Sequence, residues 1–486
     1  MAGYLHGIQS TETPAVEPLV LSENGIQMIV GAAPIHLIKN PSKAVNKLII
    51  CYSLDEVKEK VGYNDDFSFN INESTFASFE LAKVAPVIYV NVLDPEIHFK
   101  EKENEELTLT RSGVALLSKS VLLDSVKVTS EDGTKTYVKD VDYTVSYDGL
   151  NVPMLYAVKT SADLTATSKV KVTYKELDPS QVTSSQIVGG YDAETGIATG
   201  LELIRQAYPV HAKRVDIIVS PGYSKNPVIA AVLEAKTEKI NNVFNASTYI
   251  DIDTKVAKNY ESAVIWKDEH YIRDKRSNVE WPMIKRDGKI MHLSAYKAAL
   301  RSRMTADDGL PYRSTSNKRL LIDDLVLEDG TPVVLEMPQA NVLNENGINT
   351  VILWGGNYKS WGNNTAIYPE SKASQYRFAA VRDSLDWLAN TFIEMYFDRV
   401  DEPTNLRLVE SIVDEENARM ATLTASGKMA GGEMKFLRSE NPISSILNGH
   451  IKFSRYVAFF SPAEYINEEV TFDPTFIESA LFGGEA

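Results

Sequence analysis

Apolar residues recur along the chain in two rhythms, one of strands and one of helices, and their order predicts the architecture. Val215 to Val219 is a β-branched run, Ser220-Pro221-Gly222 turns the chain, Pro227 to Asn241 repeats at helical spacing, and Phe244 to Ile252 is a second apolar run. Strand, helix, strand in that order is a βαβ unit, which needs a parallel sheet and a right-handed crossover. Upstream lie further strands at Ile26 to Val30, Lys47 to Tyr52 and Pro86 to Leu93. A helix follows Ser53, where Ser53 and Glu56 have capping-box spacing, and another over Glu73 to Val84 presents Phe76, Phe79 and Val84. Gly347 to Leu353 reads as a later strand.

From about Glu101 to Asp178 the rhythm changes to period two. Val126 and Val128 alternate with polar residues before Asp132-Gly133, Tyr143, Val145 and Tyr147 before Asp148-Gly149, and Val170, Val172 and Tyr174 alternate again. Asp-Gly between alternating runs signals hairpins, because both turn positions favour positive φ. Beyond Gln375 the helical rhythm returns: Phe378, Val381, Leu385, Leu388, Phe392 and Met395 form a seam that must pack on another helix, and Leu406 to Leu423 answers it with Val409, Val413, Met420 and Leu423. Ile451, Phe453, Val457 and Phe459 then alternate along a strand, and Val470 and Phe472 along a second, a hairpin around Pro462. The tail stays apolar through Phe476, Ile477, Leu481 and Phe482, and Tyr4, Leu5 and Ile8 do the same at the start, although termini are ordinarily polar.

The predicted fold class is an α/β core with βαβ units, an inserted antiparallel β domain, and an α+β C-terminal domain with extended N- and C-terminal arms. The boundaries follow the changes of rhythm: an N-terminal arm over 1–22, the core in two parts over 23–100 and 179–374, the β insertion over 101–178, a C-terminal inner domain over 375–467 and a final strand and arm over 468–486.

The length of 486 residues fits about two to four domains, and 44% hydrophobic residues suffice for a core in each. The single Cys51 sits in an apolar run, where it reads as a core residue and forms no intrachain disulfide. No window approaches the ~20 apolar residues of a membrane span, and Met1 to His6 lacks the pattern of a Sec signal, so membrane insertion and secretion by that route are not expected. A formal net charge of -16 without basic runs disfavours direct contact with nucleic acid or anionic lipid.

Candidate chemistry is sparse. Asp251 and Asp253, at the carboxyl end of a strand, have the placement of a Mg²⁺ site for phosphoryl transfer in haloacid-dehalogenase-like enzymes. Lys255 stands where that pattern wants Thr or Val, and no phosphate clamp accompanies the pair. The glycines from Gly189 to Gly200 match neither phosphate-binding spacing, and the seven histidines show no i,i+4 pair. Ser220 lies at a strand-to-helix turn, but Pro221 stands where a nucleophile elbow needs Gly. The helix from Met291 to Met304 reads as a solvated basic face through Lys297, Arg301 and Arg303, with an inter-subunit contact as the alternative.

Seven stretches, in order, resemble contractile tail sheath proteins: Tyr4-Leu5-His6-Gly7-Ile8, Val30-Gly31-Ala32-Ala33-Pro34, Thr199-Gly200-Leu201, Val219-Ser220-Pro221-Gly222-Tyr223-Ser224, Leu343-Asn344-Glu345-Asn346-Gly347-Ile348-Asn349, Trp361-Gly362-Asn363-Asn364-Thr365 and Pro462-Ala463-Glu464-Tyr465-Ile466. The chain departs from that pattern over Lys267 to Pro282, at Pro311-Tyr312-Arg313 and at Asp401 to Asn405, which bears on the subfamily.

The resemblance implies a non-enzymatic structural subunit without a cofactor. Such a subunit polymerises with itself into a helical tube of stacked rings around an inner tail tube protein and meets baseplate and terminator proteins. It contracts to drive the tube through a target cell envelope. It implies synthesis in the bacterial cytoplasm and incorporation into a phage tail or a released phage-tail-like particle. It also implies a role for the termini. Tyr4, Leu5 and Ile8 at one end, and Val470, Phe472, Phe476, Ile477, Leu481 and Phe482 at the other, would complete a neighbour's sheet around an acceptor hairpin containing Ile451, Phe453, Val457 and Phe459. Asp414, Glu415, Glu416, Arg419 and Lys452 are the candidate contacts to the tube. The alternative readings are a metal-dependent phosphotransfer enzyme at Asp251 and Asp253, and a binding module displayed on the β insertion.

Overall fold

The β-branched runs pair into one eight-stranded sheet in the spatial order Asn357–Trp361, Ile348–Trp354, Ser277–Glu280, Ser247–Asp251, Ile217–Val219, Gln27–Gly31, Val87–Asn91 and Leu48–Cys51. The computed structural model describes residues 18–159, 161, 164, 165 and 167–483. The six inner strands run parallel, and the two edge strands run antiparallel to their neighbours. Gln27–Gly31, Val87–Asn91 and Ser247–Asp251 are buried at every position, as parallel strands covered on both faces must be. The predicted βαβ unit is present: Ile217–Val219 and Ser247–Asp251 pair in parallel, and the helix Pro227–Lys236 joins them.

Ile348 and Val351, three apart on one strand and therefore on opposite faces, belong to two different hydrophobic clusters. Ile348 packs with Ala263, Trp266 and Leu343, from the helices Tyr260–Glu269 and Met337–Glu345. Val351 packs with Leu293, Tyr296 and Ala299 of the helix Leu293–Asp308.

That last helix corrects the sequence reading of a solvated basic face. Lys297 is 1% and Arg301 3% exposed. Ala295, Ala298 and Ala299 let the helix approach the sheet closely, and the cations find partners inside. Arg301 donates to Asp383 and to the carbonyls of Pro311 and Arg313, while Lys297 reaches the hydroxyls of Ser360 at 2.5 Å and Thr315 at 3.0 Å.

Other elements are shifted. The helix expected over Glu73 to Val84 is Asn70–Thr75 continued by a wider turn, Phe76–Leu81. Val84 instead pairs with Val20, so Val20–Leu21, assigned to the arm by sequence, lies on the core. Of the capping box at Ser53, one half forms: Ser53 Oγ accepts from the Glu56 amide, while the Glu56 carboxylate turns to Lys60 at 2.6 Å.

Residues Phe99–Thr108 to Lys169–Leu177 make two three-stranded antiparallel sheets around a hydrophobic cluster of their own. Gly133 takes positive φ in the first predicted turn, but in the second Asn151 does so in place of Gly149. The reason is Asp148, whose carboxylate accepts from the Leu150 and Val152 amides and widens the loop.

Candidate subunit interface

Of the predicted seam residues, Leu388, Phe392, Val413, Met420 and Leu423 fold onto a small sheet, while Phe378, Val381, Leu385 and Val409 lie outside that cluster. Leu388, Phe392 and Tyr396 of the helix Ala379–Tyr396 cluster with Ile412, Met420 and Leu423 of the helix Leu406–Ala425 and with Met434, Phe453 and Val457. Met395, the last seam position, is exposed. Met434 and Val457 belong to Gly431–Lys435 and Ser454–Ala458, which pair antiparallel with Gly432 opposite Val457. A Cβ on Gly432 would stand 2.6 Å from Met420 Sδ and 3.1 Å from Val457 Cγ1, so a larger residue would push the Met420 side chain aside where the strand lies on the helix. The sheet has two strands, and among the described residues no third strand pairs with either, although Asn417 bonds the Met434 amide at 2.7 Å and its carbonyl at 3.1 Å. Two strands alone are marginal, and bare edges invite a further strand.

The predicted hairpin is different in detail. Ile451, Phe453, Val457 and Phe459 lie on or beside Ser454–Ala458 and are half-buried, but their partner strand is Gly431–Lys435, not the segment around Val470 and Phe472. That segment forms no strand, and Val470 and Phe472 are 81% and 77% exposed. Thr475–Phe482 is a helix on which Phe476, Ile477, Leu481 and Phe482 all face solvent. Tyr4, Leu5 and Ile8 lie outside the described residues.

Two of the proposed tube contacts are internal. Glu416 is completely buried and takes Arg455 at 2.6 Å and Arg419 at 3.0 Å. Arg419 also donates to Thr391 and lies over the Trp387 ring, and Arg455 lies over Phe392. The Glu416 carboxylate is shared by both guanidiniums inside the helix pair, which removes Glu416 and Arg419 from the surface role. Asp414, Glu415 and Lys452 are exposed.

The face of Ala379–Tyr396 that meets the α/β core is polar, which the apolar seam does not reveal. Asp383, Asp386, Asn390 and Glu394 meet Arg301, Arg276, Asn245 and Arg214. Arg276 grips Asp386 through two bonds of 2.8 and 2.9 Å, both partners buried. Asn390 and Asn245 exchange bonds of 2.9 and 2.7 Å. Burial raises the carboxyls of Asp383 and Glu394 above their usual range, against the pull of Arg301 and Arg214. The spacing of Asp383, Asp386, Asn390 and Glu394 in sequence, steps of three, four and four, was the available signal.

Asp251 and Asp253 are not a matched pair. The buried Asp251 carboxylate accepts from Ser294 Oγ at 2.6 Å, from Ser224 Oγ at 3.1 Å and from the Ser294 amide at 3.1 Å. It therefore ties its strand to the start of Leu293–Asp308. Asp253 caps the Lys255 amide in its own turn. Among the described residues no cluster of His, Cys, Asp and Glu has the arrangement of a metal site. Ser220 is buried and donates to the Val30 carbonyl at 2.8 Å.

No family model matches the chain. A tail sheath protein of Burkholderia phage BcepMu is 26% identical over 492 residues, covering 96% of this chain and 96% of that protein. A major tail sheath protein of Serratia phage KSP20 is 26% identical over 314 residues, covering 63% of this chain and 75% of that protein. A cryo-EM structure of the anti-feeding prophage baseplate contains a chain of the same fold, with a TM-score of 0.57 at 13% identity over 97% of this chain and 100% of that one. The chain is related to the contractile tail sheath proteins. The same sheath fold occurs in the PVC sheath complex of an extracellular contractile injection system in its contracted state, with a TM-score of 0.56 at 12% identity over 98% of this chain and 99% of that one. These sheath relatives are structural proteins, and the role of this chain is structural, not enzymatic.

Proposed function

We propose that the chain is the repeating subunit of a contractile sheath, polymerised helically around an inner tail tube by exchange of its arms. One observation carries this reading: the same chain has a two-stranded sheet to which no third strand pairs and a C-terminal arm whose apolar residues are exposed and join no hydrophobic cluster among the described residues. Along that arm Ile466, Val470 and Phe472 share one parity, with Glu468 between them, and Asn467, Glu469 and Thr471 the other, so the segment added as a strand has one mainly apolar face interrupted by a single carboxylate. A second copy supplies the edge. The contact is heterologous, so it propagates into a helix and does not close into a dimer.

About four ladder bonds contribute roughly 2–6 kcal/mol net, and each buried aromatic such as Phe472 adds about 1.5–3 kcal/mol. Single links of that size are modest, and a lattice of them is strong. Arms that stay paired while the bodies they join rotate would allow contraction from an extended, metastable lattice to one with better subunit contacts, with no nucleotide consumed. The N-terminal residues Tyr4, Leu5 and Ile8 take the second arm's part. Asp414, Glu415 and Lys452 face the tube through exposed contacts, which raised salt weakens. Baseplate and terminator proteins cap the polymer, and the particle is a phage tail or a phage-tail-like injection device assembled in the bacterial cytoplasm.

Truncation tests the reading. A chain ending at Glu464 should remain folded and monomeric with an unchanged melting temperature, while the full chain forms tubes visible by negative-stain microscopy. Tubes from the truncated chain would refute arm exchange.

A further inference from the structure

Three of the stretches that carry the sheath resemblance, Leu343 to Asn349, Trp361 to Thr365 and Pro462 to Ile466, are far apart in sequence yet meet around one cleft of about 580 Å³. At its edge stands Arg377, between the rings of Tyr368 and Phe378, 4.3 and 4.6 Å from their centres. Its Nε donates to Asn364 Oδ1 at 2.7 Å, and a terminal nitrogen donates to the Glu464 carboxylate. Asn364 is buried and fixed in turn, its Nδ2 donating to the Asn344 carbonyl at 2.9 Å, while the Thr365 amide donates to the Arg377 carbonyl at 2.8 Å. Two rings and a buried amide thus orient the guanidinium plane independently of Glu464, as a planar fork requires.

Beyond Glu464 the chain leaves the body. Tyr465 and Ile466 are 84% and 85% exposed, and among the described residues no hydrogen bond or ion pair joins 465–483 to the rest of the chain. Glu464 is therefore the last polar anchor of the arm.

We propose that Arg377 is a clasp that fixes where the C-terminal arm departs, so that one ion pair in a preformed socket sets the direction in which the arm reaches a second copy of this chain. The consequence for assembly rests on the proposed arm exchange; the clasp itself is a property of the single chain. Arg377 acts here as a positioning residue, and the cleft is its mounting.

Spin labels at Lys372→Cys and Tyr465→Cys, both exposed sites, report the arm's departure in the otherwise intact chain, because the buried Cys51, its thiol pushed up to about 12 by burial, stays unlabelled. The unassembled chain with an intact clasp should give one narrow distance distribution. Glu464→Gln, which loses the ion pair, and Arg377→Met, which keeps a stem between the rings, should each at least double its width. Glu468→Gln, an exposed carboxylate past the clasp, should leave it unchanged. If Arg377→Met misfolds, Glu464→Gln still decides, because Glu464 lies outside every hydrophobic cluster. In assembly the same Glu464→Gln change should raise the protein concentration needed for tubes about tenfold. An unchanged width, or a widened arm that assembles at the parent concentration, overturns the clasp. If the parent chain forms no tubes, the arm-exchange reading fails while the label widths still decide the clasp.

Discussion

His36 and His292 sit in opposite surroundings and give the chain a pH dependence of two signs. His36 is buried between the Phe69 and Tyr147 rings, and among the described residues neither ring nitrogen has a hydrogen-bond partner. Burial pushes its pKa from 6.5 down to about 3. The folded state refuses a proton that the unfolded state accepts, so stability is lost as pH falls below 6.5. His292 is enclosed too, but Glu73, 3.0 Å from its Nδ1, outweighs the burial and raises it to about 9. That contribution is fully present below 6.5 and is lost as pH rises through about 9. Urea unfolding across pH checks both. Between pH 6.5 and about 4.5 a His36→Phe chain should lose roughly 2–3 kcal/mol less stability than the parent, at about 1.4 kcal/mol per pH unit. A His292→Gln chain should lack the parent's decline on the alkaline side. Asp251 makes a third case: Asp251→Ala leaves Ser224, Ser294 and a backbone amide without their acceptor and should cost about 2–4 kcal/mol, whereas Asp253→Ala should cost less than about 1 kcal/mol because Asp253 serves only its own turn.

Among the elements, the helix Ala379–Tyr396 has two working faces, and they were unequally legible. Its apolar seam predicts a partner helix from spacing alone, and Leu406–Ala425 is there. Its inward acids look like a solvent face, because spacing does not say that Arg214, Arg276 and Arg301 stand opposite them. The helix Leu293–Asp308 misleads in the same way, since a basic stripe reads as exposed until its partners are known. The strand Gly431–Lys435 escaped for another reason. Gly-Gly-Glu-Met-Lys has no apolar alternation, and tertiary contact with Met420 makes it a strand. The segment around Val470 and Phe472 alternates like a strand but has no edge in its own chain. The Arg276 and Asp386 pair provides a test at this scale. Asp386→Ala leaves the buried Arg276 guanidinium with only the half-exposed Glu238, 3.6 Å away, and should cost about 3 kcal/mol. The loss should appear first as faster proteolysis after Phe397, where the C-terminal helices leave the core, and equal cleavage rates would count against a polar joint.

Across the whole molecule, edges are treated in two ways. The outer strand of the β insertion, Phe99–Thr108, carries Lys100, Glu101, Lys102, Glu103 and Glu106 along an open edge, the kind of charge that blocks strand addition. The C-terminal sheet is less guarded on one side: Gly431–Lys435 carries Glu433 and Lys435 and has its Met434 amide and carbonyl taken by Asn417, whereas Ser454–Ala458 carries one charge, Arg455, which turns inward to Glu416. The insertion also has its own hydrophobic cluster, so replacing residues 101–178 with a short Gly/Ser linker should leave tube formation intact and the core folded, its melting lowered by the loss of Tyr147 over His36 and of Leu122 and Leu177, and loss of tubes from a folded core would place the insertion in the lattice. At this scale the sequence was legible mainly through its resemblance to sheath proteins, because a lattice contact leaves no periodicity in a single chain beyond unsatisfied apolar termini. The most direct measurement is a cryo-EM map of the assembled tube at side-chain resolution. Arm exchange predicts that residues 465–483 of each subunit lie on another subunit, with Ile466, Val470 and Phe472 facing the hydrophobic layer of Phe453 and Val457. Arms folded back on their own subunit, with the edges of Gly431–Lys435 and Ser454–Ala458 left bare in the tube, would contradict it.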